Sequence, residues 1–90
     1  MFEAMAAIEG IEEGIEVYSH FRQGMVSPVW FIWHGRLYRV QAITHRWVTR
    51  EGHWRRHHFA VLTRESLDLY ELRLHSETMD WFLVRICMEG

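Results

Sequence analysis

The stretch that decides the fold is Pro28–Ile43, PVWFIWHGRLYRVQAI, in which two β-prone apolar runs flank the dipeptide His34-Gly35. Glycine adopts a positive φ without strain, and histidine is one of the few other residues enriched at such positions. Two-residue hairpin turns that match the twist of their strands need this conformation. The sequence therefore predicts an antiparallel hairpin with its turn at His34-Gly35.

This turn fixes which residues lie opposite each other across the hairpin. The predicted pairs on the core face are Trp33 with Arg36, Phe31 with Tyr38, and Val29 with Val40. The other face is apolar as well, since side chains alternate between the two faces of a strand. Its pairs are Ile32 with Leu37 and Trp30 with Arg39. Exposed apolar strands aggregate, so we expect this second face to be covered by a curled sheet, the N-terminal segment or a partner.

Short β-prone runs separated by turn signals continue on both sides of the hairpin, a pattern typical of all-β domains. Including the two hairpin strands, the predicted strands are Ile15–Phe21, Pro28–His34, Gly35–Ile43, His45–Arg50, Trp54–Thr63, Leu67–Leu74 and Asp80–Met88. Residues 1–14 are interrupted by two glycines and are predicted to form a disordered tail or a short helix. The fold class is all-β: residues 15–90 form one antiparallel domain of six to seven short strands, as a curled sheet or a partly open barrel.

The composition bounds the class of protein. With 90 residues the chain has room for one domain with a modest core. The single cysteine, Cys87, excludes an internal disulfide. Residues 1–20 lack the basic region of a secretion signal, and no run reaches the roughly 20 apolar residues that a membrane helix needs. We therefore expect a cytoplasmic protein that has no membrane partner.

The net charge of −2 conceals a strong segregation along the chain. Residues 1–20 carry five glutamates and no arginine, residues 21–64 carry eight arginines and one glutamate, and residues 65–90 carry six acids and two arginines. The chain has no lysine, so each cationic side chain in the basic middle other than histidine is an arginine. Two explanations are open: acidic strands pair with basic ones inside the fold, or the basic segment forms a binding face.

The sequence contains no motif that supports catalysis. A GxxxxGK phosphate loop is impossible without lysine, and no serine lies in a GxSxG context. His53, His57 and His58 are close in sequence, but adjacent strand residues point to opposite faces, so a shared metal site is not favoured. Cys87, at the end of an apolar strand, is predicted to be an inert thiol. We predict no enzyme, no catalytic residue, no metal site and no cofactor.

The stretch with the strongest functional signal is His45–Arg56, HRWVTREGHWRR, where four arginines are interleaved with Trp47 and Trp54. Arginine binds phosphate with two N–H groups, and a tryptophan face can stack on a base. The residues predicted to bind nucleic acid are Arg46, Arg50, Trp54, Arg55 and Arg56. The structural alternative is that both tryptophans belong to the core and that the arginine side chains cover them through cation–π contacts.

The hairpin also resembles a known family. The motif Phe31-x-Trp33-x-Gly35-Arg36-x-Tyr38-x-Val40 is its most specific part, and further matching segments extend the resemblance over about residues 15–87. Those segments are Ile43, Trp47, Trp54, 59–61, 69–72 and 81–86. The family comprises small bacterial domains of unknown function, and similar segments occur at the C-terminal end of Y-family translesion polymerases and their non-catalytic homologues. Residues 57–61, HHFAV, depart from the family pattern of two aromatics followed by Arg-Val. The resemblance implies an association with DNA damage tolerance and no known activity.

Together these observations predict a non-catalytic interaction module, accessory to DNA repair or translesion synthesis. Its partners would be nucleic acid or a DNA-repair protein, bound through the arginine and tryptophan face. The alternative function is protein–protein interaction or homodimerisation through Trp30, Ile32 and Leu37. The salt dependence of binding distinguishes the two functions, because nucleic-acid binding weakens steeply as the salt concentration rises and apolar association does not.

Overall fold

The computed structural model describes residues 7–88, and most of them belong to six antiparallel strands. The strands are β1 (Ala7–Arg22), β2 (Met25–Trp33), β3 (Arg36–Glu51), β4 (Trp54–Thr63), β5 (Leu69–His75) and β6 (Trp81–Met88). Each strand pairs with the next in the chain, and β6 pairs with β1, so the sheet closes into a barrel. The predicted all-β antiparallel fold is confirmed, with six strands.

The predicted hairpin turn is confirmed at His34-Gly35. Both residues have a positive φ, 52° and 74°, as a two-residue turn requires. The observed pairs are Trp33 with Arg36, Ile32 with Leu37, Phe31 with Tyr38, and Trp30 with Arg39. The predicted pair of Val29 with Val40 is absent, because β2 and β3 stop pairing at Trp30 and Arg39.

The strand boundaries differ most from the predicted ones in β3 and β1, and by no more than three residues elsewhere. The predicted strands Gly35–Ile43 and His45–Arg50 are one long strand, β3, because irregularities at residues 40–42 and 43–45 bend it without ending it. Residues 7–14 belong to β1 rather than to a tail or helix. A similar irregularity lies between Gly10 and Glu13, where Glu12 has a φ of 54°. The rest of the predicted tail, residues 1–6, lies outside the described residues.

The barrel interior is filled by side chains from all six strands. Those with almost no exposed surface are Phe31, Val61, Leu72 and Leu83. Phe31 stacks on Tyr38, with ring centroids 5.1 Å apart, and meets the ring of Tyr70 edge-on at 5.5 Å. Such aromatic pairs add stabilisation beyond the area that they bury. The hairpin chosen from the sequence therefore supplies the centre of the core.

In β6 the inward-facing residues do not follow strict alternation. The sequence predicts Phe82, Val84 and Ile86 on one face and Trp81, Leu83 and Arg85 on the other. In the structure Trp81, Leu83 and Ile86 join the main core, because the β5–β6 register shifts where Leu83 lies opposite Leu72 and Arg85 lies opposite Glu71. One extra residue in a strand reverses the facing of everything beyond it.

The connections between strands define two ends of the barrel. The end that we call the upper end has the β1–β2 turn at residues 23–24, the β3–β4 turn at residues 52–53, and the β5–β6 connection at residues 76–80. The lower end has the His34-Gly35 turn and the connection at residues 64–68. Residues 7–88 include no helix long and apolar enough to cross a membrane.

Candidate functional site

The β3–β4 hairpin extends past the ring of strands at the upper end. β4 pairs with β5 only as far as Arg56, so residues 50–55 have only each other as strand partners. In this extension Arg50 lies opposite Arg55, and Glu51 lies opposite Trp54. All the residues predicted to bind nucleic acid are on this hairpin, but the structure gives them three different surroundings.

Arg56 is engaged within the fold. Its side chain is only 12% exposed and forms salt bridges of 2.6 Å with Glu77 and 2.9 Å with Glu51. The hydrogen bond to Glu77 raises the pKa of Arg56, and the same contact lowers the pKa of the Glu77 carboxyl. The guanidinium therefore links the hairpin to the β5–β6 connection, which leaves little of it for an external anion.

Arg46 bridges two strands that do not pair with each other at this level. Its guanidinium donates hydrogen bonds to the carbonyl oxygen of Val26, at 2.8 Å, and to the hydroxyl of Ser27, at 2.7 Å. It also lies over the ring of Phe59, 5.5 Å from the centroid. Both hydrogen-bond acceptors are neutral, so the charge of Arg46 is not neutralised by these contacts.

Arg50 and Arg55 form the exposed cationic pair of the hairpin. They lie directly opposite each other, and within residues 7–88 neither side chain forms a salt bridge with a carboxylate. The backbone of Arg55 is held by Ser76, whose hydroxyl accepts from its N–H at 3.0 Å. Like charges directly opposite each other destabilise a sheet, and an anion bound between them removes that repulsion.

Two exposed tryptophans belong to the same hairpin, but side-chain alternation places Trp54, which lies opposite Glu51, and Trp47 on the other face from Arg50 and Arg55. Trp54 is 50% exposed and belongs to the extension itself. Trp47 is also exposed, and one of its faces stacks on the ring of His58, with centroids 5.0 Å apart and an interplanar angle of 7°. Trp47 is not among the site residues predicted from the sequence. Its position between Arg46 and Arg50 in the same stretch could have identified it. Neither tryptophan is in the core, so the structural alternative for these two residues does not hold.

His58 is enclosed beneath Trp47 in a polar cluster on the outer face of the barrel. Its Nε2 is 2.8 Å from the hydroxyl of Thr49, and its Nδ1, which has no hydrogen-bond partner, is 3.5 Å from a carboxylate oxygen of Glu71. Burial lowers the pKa of His58, and this outweighs the opposing effect of Glu71. The ring is therefore held neutral in the folded protein at neutral pH.

The segregated charges are only partly paired inside the fold. Four arginines form salt bridges with glutamates: Arg39 with Glu65, Arg56 with Glu51 and Glu77, Arg73 with Glu12, and Arg85 with Glu71. Within the described residues, the six other arginines have no such partner. Three of these six, Arg46, Arg50 and Arg55, belong to the predicted site. Internal pairing therefore accounts for only Arg39 and Arg56 among the eight arginines of the basic middle segment.

The apolar face predicted for protein interaction lies on the outside of β1, β2 and β3. Ile32 lies opposite Leu37, which is 45% exposed. Trp30 stacks on Tyr18, with ring centroids 5.4 Å apart. Within residues 7–88 no further layer of strand or helix covers this face, since the six strands form a single sheet. Trp30 and Ile32 are nevertheless half-buried.

A cleft of about 410 Å³ opens at the upper end, and sequence reasoning did not anticipate it. Its apolar lining comes from strands β1 to β5 and the β5–β6 connection. The apolar lining residues are Phe21, Met25, Val26, Trp47, Val48, Phe59, Leu74 and Met79, and the polar ones are Arg46, His57, His58 and Ser76. No acidic side chain lines it. The cleft exists because β2 and β3 separate beyond Trp30 and Arg39, which local sequence patterns do not reveal.

No group of three or more histidine, cysteine or carboxylate side chains among the described residues is arranged to hold a metal ion. The chemistry of the upper end is therefore that of arginines, aromatic rings and an apolar cleft. No protein-family model matches this chain, and comparisons with curated proteins and with solved structures find no similar protein.

Proposed function

We propose that this protein is a non-catalytic module that binds single-stranded nucleic acid at the end of its β3–β4 hairpin. The observation that carries the proposal is the exposed pair Arg50 and Arg55, which lie opposite each other without a carboxylate partner among residues 7–88. The exposed Trp54 precedes Arg55 in the chain and presents its ring on the other face of the same hairpin end. Phosphates suit the two guanidinium groups, and an unpaired base suits the tryptophan face.

The proposal favours single strands because stacking on Trp54 and Trp47 requires bases that are not already stacked in a duplex. Base–aromatic stacking contributes about 1–3 kcal/mol per base and tolerates every base, so we expect little sequence preference. The acidic ends of the chain and its net charge of −2 weaken non-specific attraction, so we expect modest affinity. The role as an accessory to DNA repair is part of this proposal and rests on the resemblance carried by the Phe31–Val40 hairpin.

The test is fluorescence anisotropy with a labelled twelve-nucleotide oligothymidine at low salt. We expect the double variant Arg50→Gln, Arg55→Gln to bind at least about tenfold more weakly, and the slope of log affinity against log salt to fall by about 1.4, which is two phosphates at 0.7 each. The matched control is Arg36→Gln, Arg64→Gln, which removes two arginines without carboxylate partners from the lower end and should bind as the unaltered protein does.

Equal losses in the two double variants would show that only net charge matters and would refute the proposed site. Absence of oligothymidine and oligouridine binding by the unaltered protein at about 50 mM salt would refute nucleic-acid binding altogether.

Trp54→Leu separates stacking from apolar contact, since leucine keeps an apolar side chain and lacks the π-face. We expect it to weaken binding without changing the salt slope.

Self-association is the second candidate function, and the exposure of Leu37 opposite Ile32 favours it. A homodimer would cover these residues and the Tyr18–Trp30 stack. Sedimentation equilibrium should then give a dimer at micromolar concentration and a monomer for Leu37→Glu. The control is Leu67→Glu, which changes a still more exposed leucine in the connection at residues 64–68. A monomer for the unaltered chain at high concentration would rule this function out.

A further inference from the structure

The cleft at the upper end is bordered by two strand edges that have no strand beside them. β2 pairs with β3 only through residues 30–33, so residues 25–29 have β1 as their only neighbour. β3 pairs with β2 only through residues 36–39, so residues 40–51 have β4 as their only neighbour. Pro28 lies in the first of these stretches, and proline is found at strand edges because it lacks an N–H.

The two edges are too far apart to pair with each other. Paired strands lie about 4.8 Å apart, whereas here the side chain of Arg46 reaches from β3 to the carbonyl oxygen of Val26 on β2. A side chain thus occupies one hydrogen-bond acceptor of β2 that a neighbouring strand would otherwise use. The remaining opening is the cleft of about 410 Å³. An extended peptide can therefore add to the β3 edge without displacing another strand.

The exposed apolar side chains of this protein concentrate at the same opening. Phe21 is 71% exposed, and Met25, Val48 and Met79 are each more than half exposed. All four line the cleft. A contiguous exposed apolar surface marks an interaction site, and methionine is common where a surface adapts to its partner.

The β3 edge also specifies a charge pattern. Arg46, Val48 and Arg50 share one face of the strand, since they lie opposite Phe59, His57 and Arg55 without an intervening register shift. Cross-strand neighbours on one face interact directly, and opposite charges stabilise the pair. The partner strand that fits this face has an acidic, an apolar and an acidic side chain at alternate positions. Because no acidic side chain lines the cleft, nothing in its lining opposes such a partner.

We propose that residues 40–51 of β3 bind an extended segment of a protein partner, with alternating acidic and apolar side chains, as an additional strand. Its backbone would continue the hydrogen-bond ladder of β3, and its side chains would provide the selectivity, as in other cases of strand addition. The apolar residue would contact Val48, and the acidic residues would pair with Arg50 and with Arg46, whose guanidinium would exchange its hydrogen bonds to Val26 and Ser27 for the carboxylate. This inference does not depend on nucleic-acid binding by the hairpin end.

The test uses a labelled ten-residue peptide in which glutamate, leucine and glutamate occupy alternate positions between threonines, together with a scrambled peptide of the same composition. Two further versions carry N-methyl groups on one or the other alternate set of backbone amides. In a bound strand only one set faces β3. We therefore expect one methylated peptide to bind at least about tenfold more weakly and the other to bind like the parent peptide.

A second readout locates the peptide on the protein. Amide hydrogen exchange should slow in residues 40–51 when the parent peptide is present. Val48→Glu, which places an acid at the centre of the edge, should abolish binding, whereas Leu67→Glu at the lower end should leave it unchanged. Equal binding of both methylated peptides, or of the parent and scrambled peptides, would overturn the proposal. Displacement of the peptide by oligothymidine, with no change in amide exchange in residues 40–51, would show that the peptide binds the hairpin-end arginines and not the β3 edge, and would also overturn the proposal.

Discussion

Replacing Phe31 with alanine should lower the free energy of unfolding by about 3–5 kcal/mol, because a fully buried aromatic ring leaves a cavity in a core that cannot collapse around it. The ring is held between Tyr38 and Tyr70, and both would lose a packed face. A domain of this size has a total stability of roughly 5–13 kcal/mol. The loss would therefore be a large fraction of the total stability.

Urea titration followed by tryptophan fluorescence and circular dichroism measures this effect. The matched control is Phe21→Ala, which removes the same side chain from a position that is 71% exposed. We expect that control to change stability by no more than about 0.5 kcal/mol, as is usual for surface positions. Similar losses in the two variants would contradict the assignment of Phe31 to the centre of the core.

Stability should also fall on the acid side in two stages, the first below pH 6.5. Burial lowers the pKa of His58 and His75 below 6.5, so between that value and their folded pKa the unfolded chain binds more protons than the folded one. The free energy of unfolding therefore decreases as pH falls through this window and is independent of these two groups at higher pH. Protonation of His58 would place a charge in the enclosed cluster beneath Trp47.

The second stage begins below pH 4.5 and comes from carboxylates. The pKa of Glu12 is lowered by its hydrogen bond to Arg73, and that of Glu65 by hydrogen bonds from Arg39. Their stabilisation is complete above the unfolded value of 4.5 and is lost as pH falls through the folded pKa. Glu13 and Glu77 behave in the same way. Both stages therefore reduce stability in the same direction.

Urea unfolding at a series of pH values between 4 and 8 separates the contributions. His58→Gln and His75→Gln should each reduce the slope of stability against pH below 6.5, while His53→Gln, in the exposed β3–β4 turn, should leave it as it is. A slope in that window that is the same in all three variants would show that neither enclosed histidine controls the acid response.

The parts of the fold that were accessible from the sequence are those set by local chemistry. The turn at His34-Gly35 needed two residues that tolerate a positive φ, and the predicted strand Trp54–Thr63 has the ends of β4. Irregularities in pairing could not be predicted. They join two predicted strands into β3, and they place Leu83 and Ile86 on the same side of β6, which strict alternation does not allow. Such shifts depend on the neighbouring strand rather than on the local pattern.

The candidate site could be predicted only in part, for the same reason. The sequence placed its candidate residues on one hairpin, and Arg50, Trp54 and Arg55 do lie together at its end. It could not show that Arg56 is paired with Glu77, because that contact joins residues 21 apart that meet only when β4 pairs with β5. The separation of β2 from β3, and with it the cleft, likewise follows from how the whole sheet curves.

Closure of the ring has a consequence for the order of events during synthesis. β1 pairs with β6, and Ala7 lies opposite Met88. Because β1 is synthesised before the other five strands and β6 after them, one edge of β1 has no hydrogen-bonded neighbour until β6 has been synthesised. Contacts so distant in sequence slow folding, because the intervening chain loses entropy before the pairing stabilises it. Until β6 leaves the ribosome, the nascent chain presents β1 as an open edge that other chains can join. The interval between synthesis of β1 and β6 is therefore the period in which this protein is most exposed to aggregation.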